Sequence, residues 1–392
     1  MKKSQRTIRL LESYRFAGSL MFVLPVIVPF WYSRGLNQAQ IGWLQTIFTA
    51  MVLILQLPTG RLADTYGRRR LVLAGAILAA LGFALYAIAG GFWGFVAAEM
   101  LLGVGYSCKS GADLALLRHE LEVDDRLDEE KHWIGRLNSF SAGGELISSL
   151  IGGALASITF AWPLWLDVIG TGMAIPFAAA LPKDQPKKAA RREHLSMRKA
   201  LSTLLANKRM RAISAFAVTA GVSTHLFVWL LQPYLKSAGL PLAWFGVAWA
   251  LYSAGYMVLS WKVGKIEHWL GEKRSMLVAL VAPAVAYMVL GLGMTLWLAP
   301  IMVLFVLSRA LNGPITTHLV HENSQPRDYA TMLSALAAVQ GLTYAVLGPL
   351  SGWVVDTYGL RADLLFLGTL VSIAGLVSYR LLRSHHLSIP NV

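Results

Sequence analysis

Residues 60 to 70 read GRLADTYGRRR, a polar and basic stretch between two apolar runs. The run that follows, LVLAGAILAALGFALYAIAGGFWGFVAAEMLLGVGY, carries one charge, Glu99. About 20 consecutive apolar residues suffice for a helix to cross a bilayer, so the loop joins two membrane helices. It recurs later as GKIEHWLGEKR, with Gly60, Gly67 and Arg70 answered at a constant offset by Gly264, Gly271 and Arg274. The chain is therefore read as a duplicated unit.

Composition agrees. Of 392 residues, 56% are hydrophobic and 14% charged, and the mean hydropathy is +0.54, which does not describe a soluble surface. A net charge of +14 invites a nucleic-acid reading, but the basic residues sit where cytoplasmic loops of a membrane protein carry them. Lys2, Lys3, Arg6 and Arg9 precede the first apolar span, Arg61 and Arg68 to Arg70 follow the second, and a cluster from Lys183 to Arg211 fills the longest loop. The intervening loops hold only Arg34, Lys236 and Arg361. Both termini are then expected in the cytoplasm, of a bacterial inner membrane, with no nucleic-acid partner. The lone Cys108 excludes an intramolecular disulfide, and the apolar segment after the basic N-terminus reads as a first span, not a signal peptide.

Apolar windows punctuated by Gly, Pro and charge predict twelve spans, near 13–33, 41–60, 71–90, 92–117, 133–157, 160–181, 211–235, 241–263, 276–294, 297–320, 329–352 and 362–382. Trp31, Tyr32, Trp43, Trp93, Trp162, Trp244 and Trp297 fall at ends assigned outward, as an aromatic belt. The acidic run from Glu120 to Glu130 reads as a solvated helix between spans four and five. The Pro-containing basic segment 182–210 divides the chain into a six-span bundle over 1–181 and another over 211–392. The expected fold class is all-α: twelve membrane helices in two pseudo-symmetric bundles about a central cavity.

The loop at 60–70 resembles the G-x-L-A-D-x-x-G-R-[RK]-[RK] signature of the major facilitator superfamily, carried between its second and third helices. The resemblance implies a transporter working by alternating access. It assigns gating roles to Gly60, Asp64, Gly67, Arg68 and Arg69, with Asp64 facing the start of span eleven, Asp328 to Thr331, and Arg68 meeting Asp113. A carboxylate at a helix N-terminus is favoured by the helix dipole, which is the physical content of such a latch. Other family patterns are displaced. Where antiporters carry R-x-x-Q-G on helix four, this chain has Glu99-Met-Leu-Leu-Gly103, while span ten reads Arg309-Ala-Leu-Asn312-Gly313. The helix-five pattern G-x-x-x-G-P-x-x-G-G is met in part by Gly144, Gly152 and Gly153, and span eleven carries Gly348-Pro349-Leu-Ser-Gly352.

Charges within spans cost about 2.5–3.5 kcal/mol each at a helix centre on insertion scales, so each needs a reason. Glu99, Tyr106, Lys109 and Asp113 share one stripe of span four, where Lys109 and Asp113, four residues apart, are expected to pair. Glu145, on a stripe with Asn138, Ser141 and Ser148, has no base in reach on its own helix and is the first candidate for proton coupling, with Glu99 second. Asp167 reads as a solvated or helix-capping acid. Arg309 needs an acid or an anionic substrate, Glu99 being one partner considered, and His225 is a candidate to bind substrate. The cavity candidates are Tyr106, Lys109, Asn138, His225, Arg309 and Asn312.

No metal-ligand cluster, phosphate loop or nucleophile triad appears in the sequence, so no cofactor, metal or enzymatic activity is expected. Transport would draw on a gradient. The leading expectation is proton-coupled export of small amphipathic molecules by a monomer in the lipid bilayer, with protons and a small-molecule substrate as its partners. Import of a polar or anionic nutrient, lipid translocation, and a non-transporting receptor are the alternatives. The topology is checked by single cysteines in a Cys108→Ser background. One in the 182–210 linker should resist impermeant thiol reagents in intact cells and one beside Arg361 should be labelled, and the reverse pattern would overturn the orientation.

Overall fold

A computed structural model describes residues 3–182, 197–325 and 328–384, apart from the side chains of residues 3, 4, 57, 61, 64 and 131. Among the described residues all regular structure is helical. Most of the 182–210 linker lies outside them; its end forms α9 (Met197–Ala206), and the next span starts early, as α10 (Lys208–Ser237).

Nine helical segments among the described residues are long and apolar enough to cross a membrane. The expected spans one, four and five depart from that simple form, and each departure has a local cause. Span one is broken: α1 (Lys3–Ala17) stops, the chain runs irregularly through Gly18 to Val23, and a 3-10 turn (Leu24–Val26) leads into α2 (Ile27–Ser33). Span four is α5 (Phe92–Lys109), stopped where Gly111 takes a left-handed φ of 80°, after which α6 (Ala112–Val123) begins. Span five is α7 (Glu130–Ala156), rich in glycine and serine.

The remaining helices are α3 (Gln38–Tyr66), α4 (Arg68–Ile88), α8 (Ala161–Ala180), α11 (Phe245–Leu270), α12 (Glu272–Leu292), α13 (Val303–Asn323), α14 (Tyr329–Tyr358) and α15 (Leu360–Ser384). The sequence repeat is a structural repeat. Gly67 (φ 94°) alone separates α3 from α4, and Gly271 (φ 73°) alone separates α11 from α12, a turn that needs the positive φ glycine adopts without a side-chain clash.

Two sequence expectations are corrected. The acidic run is a helix end, a turn with Asp125 at φ 56°, and a 3-10 turn (Leu127–Glu129), with Glu120 buried. There Arg126 grips Glu129 with two hydrogen bonds, 2.8 and 2.6 Å, which lower the Glu129 pKa from its ordinary value. Trp31 is fully buried against Tyr86 and belongs to the core, whereas Trp43, Trp93, Trp162, Trp244 and Trp297 are exposed.

The chain divides into two compact units: Met1–Leu36, Leu44–Arg191 and Pro241–Ala250 in the first, and Asn37–Trp43, Arg192–Leu240 and Leu251–Val392 in the second. In the first unit α1 packs on α7 and α8, and α4 on α5 and α8, around Leu11, Val72, Leu117 and Ala178. In the second, α10 packs on α13 and α15, and α12 on α15, around Phe216, Leu280, Leu311 and Ala335. An aromatic cluster there stacks Phe227 on Phe305 at 3.8 Å, with Tyr287 edge-on at 4.7 Å. Lipid gives helices no hydrophobic reason to associate, so close packing through small residues must hold them.

Gly152 shows how close that packing is. A Cβ there would collide with the Phe22 carbonyl oxygen in the break of span one, whereas a Cβ on Gly143 of the same helix meets nothing within 4 Å. Gly152→Ala should therefore destabilise the detergent-solubilised protein by about 1–3 kcal/mol, the usual cost of overpacking. Gly143→Ala should leave it unchanged or slightly firmer. Equal thermal midpoints for the two variants would contradict the contact.

Candidate functional site

Inside a bilayer an unpaired peptide N–H costs several kcal/mol, so the break in span one must be satisfied from elsewhere. Three side-chain acceptors do this. The Met21 N–H donates to the Ser148 hydroxyl of α7 at 3.0 Å, and the Phe22 and Val23 N–H groups donate to the two oxygens of Asp167 of α8, at 2.5 and 3.2 Å. Asp167 has no exposed surface. Of the two roles expected, solvated or helix-capping, the first does not hold; Asp167 accepts from the N–H groups just ahead of the 3-10 turn and so clamps the break between α1 and α2.

The cytoplasmic-side candidates are also regrouped. Gly111 ends α5, so residues 109 and 113 no longer lie one helical turn apart and the expected Lys109–Asp113 pair does not form. Asp113 is paired instead with Arg15 of α1 at 2.6 Å, while the Lys109 ammonium lies 5.6 Å from the Tyr106 ring centre. Arg68 donates to the Ala115 carbonyl at 2.9 Å and Arg69 to the Ala179 carbonyl. Both therefore brace backbone within the first unit. Gly60 lies in the last turns of α3, with open space where a Cβ would point. The side chain of Asp64 is outside the described residues.

The two coupling candidates differ in their surroundings. Glu99, 4% exposed, accepts from the Tyr86 hydroxyl at 2.5 Å and the Gln45 amide at 3.2 Å, and among the described residues no cation pairs with it. Glu145 is half-buried and accepts from the Trp249 indole at 3.0 Å, a partner from α11 invisible along its own helix. Tyr106 and Asn138 are exposed, and Tyr106 meets Phe48 edge-on at 5.9 Å.

The second unit gathers its own polar face. His225 of α10 lies against the Tyr344 ring of α14 at 4.4 Å. The amides of Asn312 and Gln340 crowd the same side of α10, at Gly221, one turn before His225, and Asn312 also accepts from Thr316 at 3.0 Å. The exposed Arg309 guanidinium sits 4.5 Å from the Tyr256 ring centre. Among the described residues no carboxylate pairs with it; an aromatic face takes the place of the expected acid. Polar groups on membrane helices face protein or water in preference to lipid, which makes this face a surface fit to meet a solute.

Sequence reading gave Asp167 no partner and passed over Asp356. Nothing near Asp167 in sequence indicates a partner 145 residues away. Asp356 did carry a signal: GWVVDTYG at 352–359 repeats the spacing of GRLADTYG at 60–67, with the four residues DTYG identical.

Residues 14–342 match the family model described as Major Facilitator Superfamily. The chain is similar to the tetracycline resistance protein, class G, of Vibrio anguillarum, 21% identical over 85% of this chain and 84% of that protein. It is likewise similar to the class C protein of Escherichia coli, 23% identical over the same shares of each chain. Among solved structures, a single-residue mutant of the nucleoside transporter NupG superposes with a TM-score of 0.85 at 12% identity, over 97% of this chain and all of that one. A bacterial homolog of the human lysosomal transporter Spinster, in an inward-facing conformation, gives 0.76 at 16% identity, over 98% of each.

The Arg15–Asp113 pair is buried on the acid side, with 6% of that side chain exposed against 23% for Arg15. Removing either partner alone strands a charge, at about 3–5 kcal/mol. Arg15→Ala and Asp113→Ala should each lower stability strongly in a denaturant titration, and the double variant should lose clearly less than the sum. Additive losses would show that the two side chains do not depend on each other.

Proposed function

The chain belongs to the Major Facilitator Superfamily, and on that premise we propose that it is a proton-coupled exporter of small amphipathic molecules working by alternating access. The transporter class follows from the family, and no enzymatic activity is assigned. Export is supported by the two relatives matched over most of their length, whose names record resistance to tetracycline. A membrane transporter confers resistance by moving the compound out. Tetracycline is accordingly the first compound to test.

The observation that carries proton coupling is the setting of Glu99. Its two partners, a tyrosine hydroxyl and a glutamine amide, each hold both donor and acceptor capacity. They can serve a carboxylate or a carboxylic acid by rotating in place, so a proton can be taken and released without repacking. That reverses the order of the sequence reading: Glu99 becomes the first coupling candidate and Glu145 the second.

The exposed Arg309, held over an aromatic ring with no acid among the described residues, favours a second reading, in which the solute is a polar anion imported with protons. Tetracycline counterflow in proteoliposomes separates the two, since the importer would exchange organic anions and ignore tetracycline.

Glu99→Gln keeps the shape and hydrogen bonding of the side chain and removes only its titration. The variant should lose pH-gradient-driven tetracycline accumulation in inside-out vesicles by about tenfold or more while retaining counterflow exchange. Gradient-driven accumulation at the normal rate would move the coupling role to Glu145, where the same substitution is then decisive.

A further inference from the structure

The first turn of α3 is held in an unusual way. A helix leaves its first N–H groups without intrahelical partners, and here each of the first three has a side-chain acceptor. Asn37 caps the Gln40 N–H at 2.8 Å and Gln40 returns the bond to the Asn37 N–H at 3.0 Å, a reciprocal capping box. The Gln38 and Ala39 N–H groups go to Asp356, one to each carboxylate oxygen, at 2.9 and 2.8 Å. Asp356 stands in the last turn of α14, more than three hundred residues along the chain.

Contact around this clamp is close. A Cβ on Gly42 would lie 2.6 Å from the Gly348 carbonyl oxygen, and one on Gly352 would collide with the Gln38 carbonyl. The Gln38 amide also reaches the Trp229 carbonyl at 3.2 Å. Residues Asn37–Trp43 consequently belong to the second compact unit, while α3 from Leu44 onward belongs to the first.

The clamp has the chemistry expected of Asp64: a carboxylate from a G-x-x-x-D-T-Y-G stretch against a helix N-terminus. Gly359, which ends the second copy, has φ 86° and separates α14 from α15, as Gly67 separates α3 from α4. The copy at 60–67 closes α3 and the copy at 352–359 clamps its start, so the two stand at opposite ends of one membrane helix.

We propose that Asp356 is a positioning residue of the transport cycle, a releasable latch that fastens the first turn of α3 to the last turn of α14 in one state and lets it go in the other. The inference rests on the alternating-access reading above. Three features make the latch releasable. Asp356 is exposed, so water can replace the helix as its partner. The two hydrogen bonds of the carboxylate are confined to the first turn. The capping box stays within α3 and keeps the turn helical after release.

The test uses Ile41→Cys in a Cys108→Ser background, since Ile41 has no exposed surface and belongs to the clamped turn. A thiol reagent should label it slowly with Asp356 intact, about fivefold faster with Asp356→Ala, the population shift expected from losing one helix cap, and at an intermediate rate with Asp356→Asn, which keeps one acceptor oxygen. Tetracycline counterflow provides a second readout that a merely structural role would not move. Weakening the latched state should raise the KM from one membrane face and not from the other, because apparent affinity scales with the population of the competent state.

Labelling unchanged in both variants, or a KM shifted equally on both faces, overturns the latch. If Asp356→Ala does not fold, Asp356→Asn decides by the same two measurements. Faster labelling with no tetracycline exchange in any variant would keep the latch and overturn the choice of substrate.

Discussion

A peptide N–H or C=O released inside or at the edge of a bilayer must find a protein partner, and this constraint decides where the charged and polar side chains of the chain are used. Asp167 and Ser148 receive the three N–H groups freed where span one breaks. Asp356 receives two at the start of α3. Arg68 and Arg69 hold carbonyls of Ala115 and Ala179, and Arg361 holds those of Gly291 and Leu292 at the end of α12. Much of the charge in or near the spans thus serves the backbone. Irregular backbone at membrane depth survives only where protein or a water-filled cavity satisfies it, and breaks of this kind recur at transporter binding sites.

Setting those residues aside narrows the search for chemistry. Asp113 is paired with Arg15. Glu99 accepts from neutral side chains and Glu145 from an indole, while Arg309 and His225 rest on aromatic rings. A coupled transporter needs a group whose charge can change and a surface that tolerates varied solutes. Neutral, reorientable partners suit the first task; aromatic faces beside a few polar groups suit the second.

The helices were legible because lipid forces long apolar runs, and the loop repeat was legible because a one-residue turn between two long helices calls for glycine at fixed places. What sequence hid were partnerships across the chain. Gly18 marks the region where span one breaks, but the acceptor that makes a break tolerable is Asp167. The spacing of Lys109 and Asp113 predicts a pair only if the helix is continuous, and the left-handed Gly111 ends it. Trp31 looked interfacial by position and is core because the break turns α2 inward onto Tyr86 and Phe95. The second DTYG was present in the sequence, but its partner, the start of α3, is adjacent only in the fold.

The measurement that bears most directly on this account is residue-resolved amide hydrogen exchange at Phe22 and Val23, in wild type and in Asp167→Ala. If the carboxylate holds the broken span, both amides exchange as slowly in wild type as those of the neighbouring helices, and at least about tenfold faster in the variant, the opening expected when a buried acceptor is lost, while amides in the middle of α1 stay unchanged. Equal exchange at Phe22 and Val23 in the two proteins would contradict the central role given to that acid.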